Sequence, residues 1–302
     1  MSRVHDALRR AAQGGLPMGA TAGARAARPG SGVMEARPSL KGLLEQAPEI
    51  PFSPMPDSLL IDPLRSHDAP SEEFRTLRTR LNHIQTQQGF HTFVITSPSP
   101  AEGKSFVAAN FAIAQSQLEN NMTLLADFDF RRPIVHNLFN IDRGPGITDY
   151  LLGKIPLHQA IRRIQGTNLC IMPAGDAVIN PLELLNLREV KQLLEDLPTI
   201  FNWVVLDSPP LLFAADANLL STLSDGTLLV VRIGHTTIDS ITRAMQSLCQ
   251  DNVVGIVVNG ARRGELYSKY TYYHTYYTPA EEKAEGAEGD EKDEKHEGAE
   301  KP

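Results

Sequence analysis

The chain has 302 residues, 41% hydrophobic and 22% charged, enough for a sizeable core arranged as one large domain or two small ones. Its two cysteines, Cys170 and Cys249, exclude a disulfide framework and read as small core residues in a reducing cytosol, and no apolar run is long enough for a membrane span or signal peptide. The net charge of −7 is concentrated in residues 279–302, where ten acids face four lysines, and the nearly neutral remainder argues against nucleic acid as a partner.

In chain order, the first dozen residues place Val4, Leu8 and Ala11 at helical spacing, which fits either a short docking helix or a frayed terminus. Residues 1–70 otherwise read as a flexible arm, because from residue 11 onward they are rich in Gly, Ala, Pro, Arg and Ser and lack apolar periodicity. Residues 71–87 predict an amphipathic helix with Phe74, Leu77, Leu81 and Ile84 along one stripe and Arg75, Arg78 and Arg80 off it. The apolar runs TFVITS, MTLLADFD, NLCIMPA, NWVVLD, GTLLVVRIG and NVVGIVVNG then alternate with helical stretches such as 105–118 and 182–197. Continuous apolar strands between helices predict an α/β fold, a mostly parallel sheet flanked by helices on both faces.

The first of these runs leads into SPSPAEGKS and then a helix, the order required of a phosphate-binding loop. Backbone N–H groups from Ala101 to Ser105 would point at phosphate oxygens, Lys104 would reach the β- and γ-phosphates, and Ser105 would hold Mg²⁺. Only the second half of the usual pattern is present, since Pro98 replaces its first glycine, so an ordinary exposed turn is the competing reading. Asp127 and Asp129 end the second run, and Asp207 ends the fourth. In an open α/β sheet those strand ends share a rim with the loop. Six of the seven tyrosines, Tyr267, Tyr270, Tyr272, Tyr273, Tyr276 and Tyr277, crowd into eleven residues, either as phosphoryl acceptors or as an aromatic edge or surface patch. Residues 279–302 follow as a disordered acidic tail.

Together, EEFRTLRTRL, SPSPAEGKS, LLADFDFRRP, IMPAGDAVINPLELL, VVLDSPP and the terminal tyrosines resemble the bacterial tyrosine autokinases of capsule and exopolysaccharide synthesis, over most of residues 71–277. The resemblance implies a P-loop NTPase fold related to partition and division-site ATPases, with a kinase domain over 71–266 and a tyrosine cluster over 267–278. It implies ATP bound by Ala101, Glu102, Gly103, Lys104, Ser105 and Phe106, and Mg²⁺ held by Ser105, Asp129 and Asp207. Asp127 is then the base, assisted by Lys104, and Glu72, Arg75 and Arg78 are the subunit contact that closes a homo-oligomeric ring. Phosphorylation would pass between subunits and regulate polymer synthesis or export. The chain is similar to the stand-alone cytoplasmic form, which implies recruitment to the inner face of the membrane by the cytosolic tail of a polysaccharide co-polymerase, and reversal by a tyrosine phosphatase. Ala101 departs from the family's usual glycine, and no lysine precedes Lys104 in the loop as it does in the partition ATPases. A partition-type assembly ATPase and a nucleotide-binding scaffold without phosphorylation are the alternative readings.

Overall fold

The computed structural model describes residues 40–62, 71–248 and 252–261. The expected N-terminal docking helix, the tyrosine cluster and the acidic tail lie outside these residues.

Eight strands form a single sheet: β1 Glu49–Ile50, β2 Thr92–Thr96, β3 Thr123–Asp127, β4 Arg162–Ile164, β5 Leu169–Met172, β6 Trp203–Asp207, β7 Gly226–Arg232 and β8 Val253–Asn259. Their order is β1-β4-β5-β3-β6-β2-β7-β8, and every pairing is parallel except β4 with β5. The six apolar runs supply β2, β3, β5, β6, β7 and β8; the first five are buried on both faces as their continuous hydrophobicity predicts, whereas edge strand β8 leaves Ile256 and Val258 exposed. Alternation along each strand divides the core in two. Val94, Leu124 and Leu206 turn toward Leu184, Leu193 and Leu220 on one face. Phe93, Ile95, Leu125 and Val205 turn toward Phe74, Leu81 and Phe111 on the other. Trp203 anchors the second face, stacked on Phe93 at 4.9 Å between ring centroids and met edge-on by Phe111 at 5.3 Å.

Helix Lys104–Ser116, which follows β2, owes its position to small residues. Ala108, Ala109, Ala112 and Ala114 are all buried and let its backbone lie close to the sheet, while Phe111 and Ile113 fill the spaces between. Helix Ser71–Gln88 covers it through Phe74, Leu77, Leu81 and Ile84, the stripe visible in the sequence. The helix expected over 182–197 is instead two, Pro181–Leu185 and Arg188–Asp196. The break falls at Leu187, whose extended backbone (φ −63°, ψ 146°) caps the second.

The reading of 1–70 as a loose arm does not hold for residues 40–62. Helix Leu40–Gln46 leads into β1, which pairs in parallel with β4. Ala47 and Ile61 are buried, Phe52 meets Phe139 edge-on, and the Ile61 N–H donates to Asn110 Oδ1 at 2.7 Å. Prolines 48, 51, 54 and 56 interrupt this segment, so its apolar residues dock one by one without any helical or strand period. Strand β4 escapes notice for a related reason. It reads Arg-Arg-Ile, yet Arg162 is 7% exposed because its guanidinium donates to the carbonyls of Gly144 and Pro145 at 2.8 and 2.9 Å.

Candidate active site

Strand β2 lies between β6 and β7, so the loop that follows it, residues 97–103, sits at the carboxyl end of the sheet with β3 and β6 on one side and β7 and β8 on the other. Ligands of open α/β sheets bind at this rim. Gly103 caps helix Lys104–Ser116 from a left-handed conformation (φ 93°), and no side chain caps the helix N-terminus with a hydrogen bond. The first N–H groups of a thirteen-residue helix, with the positive end of its dipole, therefore face the rim. Ala101 also adopts the left-handed conformation, at φ 62°. Residues with a Cβ enter that region at a cost of about 1–2 kcal/mol. The alanine thus occupies a position whose geometry suits glycine.

Register aligns the acids. Asp127 at the end of β3 is paired directly with Asp207 at the end of β6. Lys104 Nζ reaches into this pair, 2.9 Å from Asp129 Oδ2, 3.7 Å from Asp207 Oδ1 and 3.1 Å from Ser105 Oγ. Burial pulls the ammonium toward neutrality, but Asp207 and Asp129 outweigh it, and its pKa rises. Asp207 is fully buried, and neither of its carboxylate oxygens has a hydrogen-bond partner. Burial accordingly raises its pKa, with Lys104 opposing. Asp127 is also fully buried, but its oxygens accept the backbone N–H groups of Asp129, Ile134 and Val135, each at 3.1 Å. Burial, followed by the Asp207 charge, pushes its pKa up to about 8.

These residues fit a divalent cation. An orphaned, buried carboxylate beside a serine hydroxyl and a second carboxylate is a hard oxygen donor set. Among the described residues no group of three or more His, Cys, Asp or Glu is arranged to hold a metal alone. Phosphate oxygens would complete the shell, the usual arrangement for Mg²⁺.

A cleft of about 680 Å³ opens beside the loop, and its lining includes the polar residues Lys104, Ser105, Asp129 and Arg132 and the apolar residues Phe106, Ile134, Leu138, Pro210 and Phe213. Asp129 faces it, whereas Asp127 is not part of its wall. Arg131 is tied to buried Asp216 by two hydrogen bonds of 2.7 and 3.1 Å, and so braces the loop after β3 against helix Ala215–Leu223. Phe213 is 67% exposed at the rim. Its exposure was invisible in the sequence, where it reads as part of the apolar run LLF.

The third residue group predicted from sequence lies elsewhere. Arg78 donates to the Ala114 carbonyl at 2.7 Å, near the C-terminal end of helix Lys104–Ser116, and Arg75 pairs with Glu72. Arg75 and Arg78 line a separate polar groove of about 780 Å³ with residues 116–119 and Arg163. Twelve residues of helix separate that end from Lys104, about 18 Å at 1.5 Å per residue. They do not join the nucleotide site of their own chain.

A phosphate-binding loop at the rim of a parallel sheet, with a lysine and three strand-end acids converging on it, defines a P-loop nucleotide-binding domain. Tyrosine-protein kinase YwqD of Bacillus subtilis (strain 168) is 34% identical over 204 residues, 67% of this chain and 85% of that protein. Putative tyrosine-protein kinase EpsB of Ralstonia solanacearum is 33% identical over 218 residues, 69% of this chain but 29% of that protein, so the chain spans less than a third of this longer relative. The kinase domain of Escherichia coli tyrosine kinase ETK superposes with a TM-score of 0.63 and 30% identity, covering 74% of this chain and 94% of that domain. No known family profile matches the sequence. The chain belongs to the bacterial tyrosine-protein kinases.

Proposed function

We propose that this kinase transfers the γ-phosphoryl group of ATP, bound with Mg²⁺, to the tyrosines Tyr267–Tyr277 of a neighbouring copy, and thereby regulates exopolysaccharide polymerisation or export. The observation that carries this reading is the buried cluster of Lys104, Asp129 and Asp207 at the loop, beside a cleft that apolar residues also line. Phosphoryl transfer asks for positioning and charge neutralisation more than for covalent chemistry. The loop N–H groups and Lys104 bind the β- and γ-phosphates, with the ammonium leaving Asp129 to do so. Ser105, Asp207 and Asp129 would hold the metal, which would supply charge neutralisation for the transferring phosphoryl group. The wall of Ile134, Leu138, Pro210 and Phe213 receives the flat, apolar face of an acceptor phenol beside Asp129.

Asp127 keeps the role of base only if its carboxylate is freed from the Ile134 and Val135 N–H groups. In the geometry described it fixes the turn that aims Asp129 and Arg132. The helix motif Glu72, Arg75 and Arg78 serves contact between copies. The names of relatives such as EpsB support a place in polymer synthesis. A membrane co-polymerase tail that recruits the kinase to the inner membrane face, and a tyrosine phosphatase that resets it, complete the proposal. No helix among the described residues is long and apolar enough to cross a membrane.

The test is to incubate purified full-length protein with ATP and Mg²⁺ and to measure phosphotyrosine and free phosphate together. Phosphotyrosine on the 267–277 segment is expected, and it disappears in Lys104→Met with the fold intact by circular dichroism. Free phosphate without phosphotyrosine would instead identify an assembly ATPase.

A further inference from the structure

One buried acid in the loop has no part in this mechanism. Glu102 is 1% exposed, yet its side chain turns away from the cleft and from the strand-end acids. Its Oε2 accepts the Ser99 N–H at 3.0 Å, across the loop, and its Oε1 accepts the Thr236 hydroxyl at 2.6 Å. Thr236 follows the end of β7, and its Oγ1 also accepts the Arg232 N–H at 2.8 Å, which fixes the hydroxyl's direction.

The neighbouring loop residues are held from the same side. The Arg232 guanidinium donates to the Ala101 carbonyl at 3.1 Å, and the Asn259 amide, at the end of β8, donates to the Glu102 carbonyl at 3.0 Å. The Asn259 side chain also lies against Gly103, where an added Cβ would stand 2.1 Å from its nitrogen. Residues 101 and 102 are thus tied to the ends of β7 and β8, Gly103 lies against Asn259, and the two residues with left-handed backbones, Ala101 and Gly103, flank Glu102. A glycine enters that conformation freely, but Ala101 does so against its Cβ. An external restraint must offset that cost if the loop is to hold its N–H groups ready for phosphate.

We propose that Glu102 is a positioning residue of the nucleotide site: by clamping Ser99 to Thr236 it holds Ala101 in the left-handed conformation that aims the loop at phosphate. This rests on the reading of the loop as the ATP site, and its distinctive consequence is a dependence on the residue at 101. Loss of the clamp should matter because position 101 is alanine, and should matter much less where it is glycine.

Two measurements on full-length protein test it. The first needs no nucleotide: amide hydrogen exchange across residues 97–105 should quicken in Thr236→Val and Glu102→Ala, and Thr236→Ser, which retains the hydroxyl, should restore protection. The second is affinity for N-methylanthraniloyl-ATP with Mg²⁺. Thr236→Val is expected to weaken it on the order of tenfold, the size of one hydrogen bond to a charged group, while kcat at saturating ATP stays within about twofold. Adding Ala101→Gly to Thr236→Val should bring affinity back to that of Ala101→Gly alone. The proposal is overturned if exchange is unchanged in the clamp variants, or if the tenfold loss persists undiminished in the Ala101→Gly background. Should the wild-type protein fail to bind the analogue while exchange still responds to Thr236, the functional reading fails and the clamp stands.

Discussion

Asp127 joins charge, burial and stability at a single residue. Its folded pKa is raised to about 8 from an ordinary value of 3.8, first by burial and then by Asp207. Between those two values the folded protein holds a proton that the unfolded chain has lost. Folding therefore takes up protons, and stability falls as pH rises through that window, at up to about 1.4 kcal/mol per pH unit for one group. Above about pH 8 both states are ionised and the decline from this group ends. Thermal melts of the nucleotide-free, metal-free protein at unit steps from pH 5 to 9 should show this fall, and Asp127→Asn should make it shallower, with Asp207, whose pKa burial also raises, contributing the remainder. A melting temperature that climbs between pH 6 and 8 in the wild type, with no change in slope in the variant, would contradict this account. The three N–H groups on its oxygens explain why Asp127 is kept despite the cost: they hold the turn carrying Asp129 and Arg132.

The elements differ in how well their sequences announce them. β2, β3, β5, β6 and β7 were legible because strands buried on both faces must be apolar throughout, β8 because it too is apolar although it lies at the sheet edge with Ile256 and Val258 exposed, and the helix Ser71–Gln88 because one buried stripe imposes a 3.6-residue period. Lys104, Ser105 and the strand-end acids can be grouped from the sequence alone, since a parallel sheet sends all its carboxyl ends to one rim. β1 and β4 were illegible because edge pairing of two or three residues needs no pattern, and Arg162 is buried by carbonyls that come from a distant turn. The clamp on the loop was illegible for the same reason: Glu102, Thr236 and Asn259 are separated by more than a hundred residues, or by a whole helix and strand. The turn after β6 was read for Asp207 alone, although its Pro210 and Phe213 form the apolar wall. That wall can be tested apart from the fold, because Phe213 is mostly exposed and its removal leaves no cavity. Phe213→Ala should leave the melting temperature and ATP affinity unchanged and slow tyrosine phosphorylation about two- to tenfold, the range of one aromatic contact. Equal losses in ATP affinity and transfer would move the acceptor elsewhere.

At the scale of the whole molecule, the two ends of helix Lys104–Ser116 carry different chemistry. Its N-terminus faces the proposed phosphate site and its C-terminal end meets Arg78, with Arg75 and Arg163 beside it in the polar groove. A ring in which each copy presents its tail to the next requires a contact surface distant from the nucleotide, and the groove end of the molecule satisfies that geometry. The three motif residues should not behave alike, however. Arg78 is partly buried and bonds a carbonyl near the helix terminus that otherwise has few partners, so Arg78→Ala should lower stability by about 1–3 kcal/mol in the monomer itself. Among the described residues Glu72 and Arg75 form an ion pair along one helix turn, a type of contact worth little to the fold. Their value lies in what they offer a neighbour if the contact proposal is right, since a guanidinium released from a partly exposed intrahelical pair is free to form a forked bond to a carboxylate. The double variant Glu72→Ala/Arg75→Ala should therefore keep its melting temperature within about 1–2 °C, lose oligomer mass by light scattering and lose phosphorylation of a Lys104→Met acceptor copy supplied in trans. If mass and trans-phosphorylation both survive in a double variant that melts normally, the copies meet through another face, and Arg78 is there to hold the helix end alone.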